Sequence, residues 1–255
     1  TTGDDNIGIG YLAGFQLEGG HSNTIIGNYA GDGATGFDKT VLIGMYAGSG
    51  ALISDADGTI AIGYEAGKSI TTGQGNTAIG YQALYTTTET DYNTAVGYQA
   101  LYAVSGAAST RGQNTGLGFQ AGYNVTTGWK STMIGFRAGY NVTTGFYNTM
   151  VGDSAGYNTN TGAYNDVLGY GALYSNTNGS YNVAIGNDAM YYATSPDHCV
   201  AIGSATLWRG YNAQYTTAIG RNAGQNTSGS YNTFVGGDAG KGGTTSAPYS
   251  SGQNN

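Results

Sequence analysis

A glycine preceded by a branched aliphatic residue recurs along the whole chain at an almost constant spacing. In "NTAIGYQALY" the pair is Ile79 and Gly80, and "NTAVGYQALY" repeats it 17 residues later. Successive copies lie 17 residues apart except for single steps of 19, 21 and 16. The fourteen anchor glycines are Gly10, Gly27, Gly44, Gly63, Gly80, Gly97, Gly118, Gly135, Gly152, Gly169, Gly186, Gly203, Gly220 and Gly236. Such a period predicts an array of equivalent units, each packed on its neighbours.

The letters within each unit favour strands, because 17 residues are too few for a pair of helices. A short run of Thr, Val and Ile precedes the anchor glycine, and turns such as "TTG" and "NTNG" follow it. Such runs predict strands of about four residues. Stacked coil upon coil, they form an all-β parallel β-solenoid, or β-roll, of about 14 coils over residues 1–240. The pattern stops there, and residues 241–255 are predicted to be a flexible connector or disordered end.

Aligning the units assigns a role to each column of equivalent residues. Ile, Val or Leu directly before the anchor glycine predicts the core, and Ala three residues after it, in thirteen units, predicts a tight approach to the opposite wall. Asn four residues before it, in nine units, predicts a ladder of side-chain amides. The glycine itself predicts a positive φ or a close backbone contact.

The residue two before the anchor glycine, such as Ala78, is also apolar or Gly in every unit. Adjacent strand residues face opposite sides, so both faces of the strand require burial. A thin coil has one interior, and the second apolar face would lie exposed unless another chain covers it. This pattern predicts a lengthwise homo-oligomer, most simply one closed by cyclic symmetry.

Composition argues against several classes of partner. The net charge is −7, with only eight Lys and Arg to neutralise phosphates, so nucleic acid is not an expected partner. No apolar stretch reaches the roughly 18 residues of a membrane helix, so no membrane insertion is expected. Cys199 falls in the Asn column beside His198, and neighbouring strand residues point apart. No catalytic pair, zinc site or enzyme activity is therefore expected.

The recurring letters "NTAIGYQA", "NTAVGYQA" and "NVAIGNDA" resemble repeats of two groups of fibrous proteins. They look like the head repeats of trimeric autotransporter adhesins, and the longer "NTAIGYQALY" is similar to repeats in tail fibres of phages and phage-derived injection systems. The resemblance implies a left-handed β-roll, intertwined or packed lengthwise as a homotrimer. It also implies a projecting shaft, either extracellular or on the surface of a virion or injection particle.

Aromatic residues follow the anchor glycine in two columns. Five successive coils carry one directly after it: Tyr64, Tyr81, Tyr98, Phe119 and Phe136. Eight successive coils carry one five residues after it: Tyr85, Tyr102, Tyr123, Tyr140, Tyr157, Tyr174, Tyr191 and Trp208. This longer column is a candidate glycan site, because sugars stack on ring faces while nearby amides and hydroxyls bind their hydroxyl groups. The alternative is that the rings stack on one another or line a contact between chains.

The insertion that produces the 19-residue step contains "ISDADGT". Asp55 and Asp57 within it offer oxygen ligands for a calcium ion. The further ligands of a complete calcium loop are missing from the spacing, so a polar turn is the alternative. No other cofactor is expected.

Together these features predict a non-enzymatic fibrous shaft, a segment of a phage-like tail fibre or a cell-surface adhesin. Its expected partners are itself, as a homotrimer, and carbohydrate or protein on a host or target cell surface. One alternative is an ice-binding β-solenoid, suggested by the threonine pairs Thr71–Thr72, Thr126–Thr127 and Thr143–Thr144 of the "TTG" turns. Another is a purely structural extracellular filament.

Overall fold

The computed structural model of the protein describes residues 3–50, 52, 56–106 and 112–242, and it confirms the all-β parallel solenoid. The chain divides into two compact units, residues 1–130 and 131–255. Within the described ranges, each unit has seven strands of three residues, one per coil. The first unit contains β1 Ile7–Ile9, β2 Thr24–Ile26, β3 Val41–Ile43, β4 Ile60–Ile62, β5 Thr77–Ile79, β6 Thr94–Val96 and β7 Thr115–Leu117. The second contains β8 Thr132–Ile134, β9 Thr149–Val151, β10 Asp166–Leu168, β11 Val183–Ile185, β12 Val200–Ile202, β13 Thr217–Ile219 and β14 Thr233–Val235.

Within each unit, consecutive strands pair in parallel at a fixed register. Ile79 of β5 lies opposite Val96 of β6, one repeat further along the chain. Across the 19-residue step Ile43 still lies opposite Ile62, and across the 21-residue step Val96 lies opposite Leu117. The extra residues of the two longer steps therefore do not shift the strand pairing.

The middle residue of each strand, and not the last, points into the coil. Ala78 and Ala95 are fully buried, whereas the adjacent Ile79 and Val96 are only half-buried. The assignment of the core to the aliphatic column is therefore wrong, and the residue two before the anchor glycine fills the interior instead. Alternation places the first and third side chains of each strand on one face and the middle one on the other. The face of the middle residue meets the other interior column, as a Cβ on Gly156 would contact Met150. Ile79 and Val96 therefore lie on the outside.

Two facing columns, two residues before and four after the anchor glycine, share the interior volume. Where the first holds Met150 the second holds Gly156, and a Cβ on Gly156 would lie 2.5 Å from the Met150 sulfur. Where the first holds Ala78 the second holds Leu84, which is fully buried. Leu84 keeps the left-handed backbone of the glycine coils, with φ of 50°. Burial of the leucine side chain offsets a strain of about 1–2 kcal/mol in that conformation.

The anchor glycines confirm the prediction of both a positive φ and a close approach. Gly80 has φ of +132°, and a Cβ there would lie 2.4 Å from the carbonyl oxygen of Gly97 in the next coil. Its own N–H donates to the carbonyl of Ile62 in the preceding coil at 2.8 Å. Only glycine lets the backbones of successive coils approach this closely.

The predicted amide ladder is present and buried. Asn93 donates its backbone N–H and its Nδ2–H to Oδ1 of Asn76 in the preceding coil, at 2.9 and 3.1 Å. Cys199 fills one slot of the same column, as predicted, and its backbone N–H donates to Oδ1 of Asn182 at 3.0 Å. Its thiol donates to the carbonyl of Ala213 at 3.3 Å, and burial raises the pKa of Cys199 to about 11.

Shared interior volume predicts a specific pattern of energetic coupling. Replacing Met150 by Ala should lower the free energy of unfolding by about 2–5 kcal/mol, because it leaves a cavity. Replacing Gly156 by Leu alone should also destabilise, since the new side chain meets the Met150 sulfur. The double variant M150A/G156L recreates the Ala78–Leu84 arrangement and should be more stable than the two single effects summed. Chemical denaturation of the four proteins measures this coupling, and strictly additive effects would contradict shared volume.

Candidate functional site

The outer face of the strands presents two columns of side chains, the residues one and three before each anchor glycine, called here the outer stripe. The first column is aliphatic in every coil: Ile9, Ile26, Ile43, Ile62, Ile79, Val96 and Leu117 in the first unit, and Ile134, Val151, Leu168, Ile185, Ile202, Ile219 and Val235 in the second. None is buried, and Leu117 and Leu168 are 44% and 50% exposed. A row of aliphatic side chains in contact with water is a candidate interaction surface.

The second column of the outer stripe is mostly Thr, Val and Ile. Its members are Ile7, Thr24, Val41, Ile60, Thr77, Thr94 and Thr115 in the first unit, and Thr132, Thr149, Asp166, Val183, Val200, Thr217 and Thr233 in the second. Asp166 is the single charged side chain in either column. The chain as a whole is only 9% charged, so the aliphatic column, rather than the scarcity of charge, is what distinguishes the outer stripe from the rest of the surface.

The candidate glycan column, called here the first tyrosine ladder, stacks ring on ring within each unit. In the first unit Tyr102 lies between Tyr85 and Tyr123, with centroid distances of 5.0 Å and interplanar angles of 2° and 11°. The second unit stacks four rings at 4.8–5.2 Å: Tyr140, Tyr157, Tyr174 and Tyr191. Inside each stack, neighbouring rings cover the faces that a sugar would need. This geometry favours the alternative of mutual stacking and leaves ring edges and hydroxyls for outside contacts.

The shorter aromatic column also stacks, and a polar ladder runs beside it. Tyr64, Tyr81, Tyr98 and Phe119 follow one another at 5.0–5.2 Å. The residues one position further along form a chain of side-chain hydrogen bonds, in which Gln82 donates to Glu65, Gln99 to Gln82 and Gln120 to Gln99, at 2.8–3.0 Å. On the outer surface, successive coils are therefore joined by stacked rings and by side-chain hydrogen bonds, in addition to their backbone hydrogen bonds.

A second tyrosine ladder, which the sequence reasoning missed, lies five residues before the anchor glycine in the second unit. Its six rings stack at 4.8–5.1 Å with angles of 5–18°: Tyr147, Tyr164, Tyr181, His198, Tyr215 and Tyr231. His198 belongs to this ladder, between Tyr181 and Tyr215, rather than to a pair with Cys199. The recurrence of Tyr in this column of the alignment is the signal that identifies the ladder in the sequence.

The candidate calcium ligands fall partly outside the described residues, since Asp55 is not among them. Asp57 is exposed, and its Oδ1 accepts the backbone N–H of Asp38 in the preceding coil at 2.7 Å. Across the described ranges, no group of three or more His, Cys, Asp or Glu side chains is placed to hold a metal ion. In the structure, the Asp57 carboxylate therefore accepts a hydrogen bond from a neighbouring coil.

Comparison of the chain with known proteins finds no relative. No protein-family model matches the chain, and no curated protein or solved structure matches it significantly. Among the residues that the structure describes, no helix is long and apolar enough to cross a membrane.

Stacked phenols predict a loss of stability at alkaline pH. Burial, followed by the neighbouring tyrosines, raises the pKa of Tyr102, Tyr174 and Tyr191 above the ordinary value of 10.0. The folded state therefore holds these protons more tightly than the unfolded state. The free energy of unfolding should fall as the pH rises through 10 and beyond.

Denaturation at several pH values between about 9 and 11 measures this slope. The triple variant Y102F/Y174F/Y191F should lose stability less steeply than the wild type. Y211F, a substitution outside the ladders, serves as the control and should retain most of the wild-type slope. Equal slopes in the wild type and the triple variant would show that the stacked phenols do not carry the effect.

Proposed function

We propose that the chain is a non-enzymatic shaft segment of a tail fibre or cell-surface adhesin, and that it associates lengthwise with copies of itself as a homotrimer. The outer stripe is the observation that carries this proposal. In such a fibre the segment is extracellular or on the surface of a virion or injection particle. It holds a receptor-binding part away from its base and contacts carbohydrate or protein on the target cell.

Three features of the outer stripe support a contact between copies of this chain. The stripe runs along successive coils of each unit, so it suits a partner with the same rise per coil. Its aliphatic column gains further hydrophobic stabilisation when another surface covers it. Apart from Asp166, no charge would have to be buried on association. The number three comes from the resemblance of the "NTAIGYQA" repeats to the head repeats of trimeric autotransporter adhesins.

The ice-binding alternative has less support than the shaft. The hydroxyl of Thr71 donates to the carbonyl of Thr88 in the next coil at 3.1 Å, and that of Thr143 donates to Asn160. These threonines are therefore engaged in coil stacking. In the outer stripe, Ile60, Asp166 and Val183 interrupt the threonine column. A purely structural filament shares the shaft architecture and differs only in having no receptor.

Charge placed in the outer stripe should abolish association while leaving the coils folded. We expect the wild type to sediment as a trimer at micromolar concentration and I79E/V96E to sediment as a monomer, because two carboxylates per chain would be buried in the contact. Q74E/Q113E adds the same charge at exposed positions of the same unit and should sediment like the wild type. Circular dichroism checks that each variant retains its strands.

A milder pair, I79T/V96T, keeps the β-branched shape and should weaken association without abolishing it. A monomeric wild type at micromolar concentration would refute the contact through the outer stripe. Undiminished association of I79E/V96E would do the same.

A further inference from the structure

The first tyrosine ladder of the second unit changes geometry after Tyr191. The rings of Tyr174 and Tyr191 are parallel within 6° at 4.8 Å. The next ring, Tyr192, stands at 75° to Tyr191, and Trp208 stands at 77° to Tyr192, again with centroids 4.8 Å apart. Parallel stacking therefore ends at Tyr191, and aromatic rings in different orientations meet at this point.

An open groove of about 210 Å³ lies at this break, lined by Tyr170, Asp188, Tyr191, Tyr192 and Trp208. Gly171 lies beside two of the lining residues, Asp188 and Tyr191. Equivalent positions in other coils hold Gln82 and Gln99 with the same left-handed backbone, so conformation alone does not require glycine at 171. A Cβ at Gly171 would lie 2.7 Å from Oδ1 of Asp188 and 3.0 Å from ring carbons of Tyr191.

The column two residues after the anchor glycine contains three carboxylates, and two of them have a lysine partner three residues later. Lys68 lies 2.5 Å from Glu65, and Lys241 lies 3.2 Å from Asp238. Hydrogen bonds from Lys68 and Gln82 outweigh burial and lower the pKa of Glu65. The Lys68 ammonium also lies over two tyrosine rings, Tyr46 and Tyr85, at 5.4 and 5.5 Å from their centroids. In that coil, an ammonium group therefore lies between a carboxylate and aromatic faces.

Asp188 is the third carboxylate of this column, and three residues later it has Tyr191 instead of lysine. It is half-buried, and within the described parts of the chain its carboxylate has neither an ion pair nor a hydrogen bond. Burial without a compensating cation raises the pKa of Asp188. The groove thus keeps the carboxylate and the aromatic walls of the Lys68 arrangement but lacks its ammonium.

We propose that this groove binds an organic ammonium group from outside the chain, in particular a methylated ammonium of the choline type. Tyrosine and tryptophan walls attract weakly hydrated cations through their ring faces, and Asp188 supplies the opposite charge. The Arg209 guanidinium occupies one face of Trp208, 4.9 Å from the ring centroid, so the external cation would be held mainly by Asp188 and the tyrosine rings of the groove. The site does not depend on the proposed shaft function or on the oligomeric state.

Titration with choline chloride at constant ionic strength tests the site, with the fluorescence of Trp208 read in a Trp129→Phe background. Saturable binding is expected. The uncharged isostere 3,3-dimethylbutan-1-ol should bind about tenfold more weakly or worse, because it retains the shape but not the charge. Equal binding of the two compounds would overturn the proposal, as would the absence of saturable choline binding. Binding of a hexose in place of choline would also overturn it and would assign the groove to sugars.

Three variants test the roles of the groove residues. Asp188→Asn keeps the shape and removes the charge, and it should weaken choline binding about tenfold or more. Gly171→Gln restores the side chain found in other coils and should block the groove. Asp153→Asn removes an exposed carboxylate of the same unit and should leave binding unchanged. Wild-type affinity in D188N, with its strands intact by circular dichroism, would contradict the proposed role of the carboxylate.

Discussion

Hydrogen bonding from each coil to the next at one fixed register is the constraint on which the structure of each unit depends. A coil of about 17 residues is too thin to satisfy its backbone groups internally, so its N–H groups donate to carbonyls one repeat away, as Gly80 does to Ile62. Equivalent side chains are then brought about 5 Å apart whether they are polar or aromatic. The amide ladder, the polar ladder of Glu65, Gln82, Gln99 and Gln120, and both tyrosine ladders follow from this one geometric fact.

The same constraint explains which residues can change from coil to coil. Anchor glycines such as Gly80 cannot change, because a Cβ would meet the carbonyl of the next coil. Interior residues can change if their volumes compensate, as Met150 with Gly156 and Ala78 with Leu84 do. Positions with a left-handed backbone accept leucine or tyrosine, as at Leu84 and Tyr164. Burial of the leucine side chain and stacking of the tyrosine ring offset about 1–2 kcal/mol of backbone strain at each position. Side chains outside these ladders are less constrained, and the aromatic groove occurs where one ladder ends.

The repeat, the parallel solenoid, the role of the anchor glycines and the amide ladder could all be predicted from the sequence. Each depends on one residue type that recurs at a fixed position of the aligned repeats. The sequence reasoning misassigned the core, since the most regular aliphatic column, which includes Ile79, lies outside. The interior is filled jointly by the columns two residues before and four residues after the anchor glycine. A large residue in one is often matched by a small residue in the other, so neither column looks uniformly apolar and large in the sequence. The calcium suggestion rested on Asp55 and Asp57, and a local acidic run does not reveal that Asp57 accepts a backbone hydrogen bond from another coil. The groove at Asp188 could not be predicted, because it depends on ring orientations.

The regular aliphatic column is best explained by an outward role, because the interior does not require its uniformity. A lengthwise contact between copies would require branched aliphatic residues in every coil and would exclude charge from the same row. A cryo-electron microscopy or crystal structure of the purified chain tests this account most directly. The account predicts that another copy covers the outer stripe along successive coils, burying Ile79 and its equivalents. Copies that meet elsewhere while the outer stripe faces solvent would contradict it.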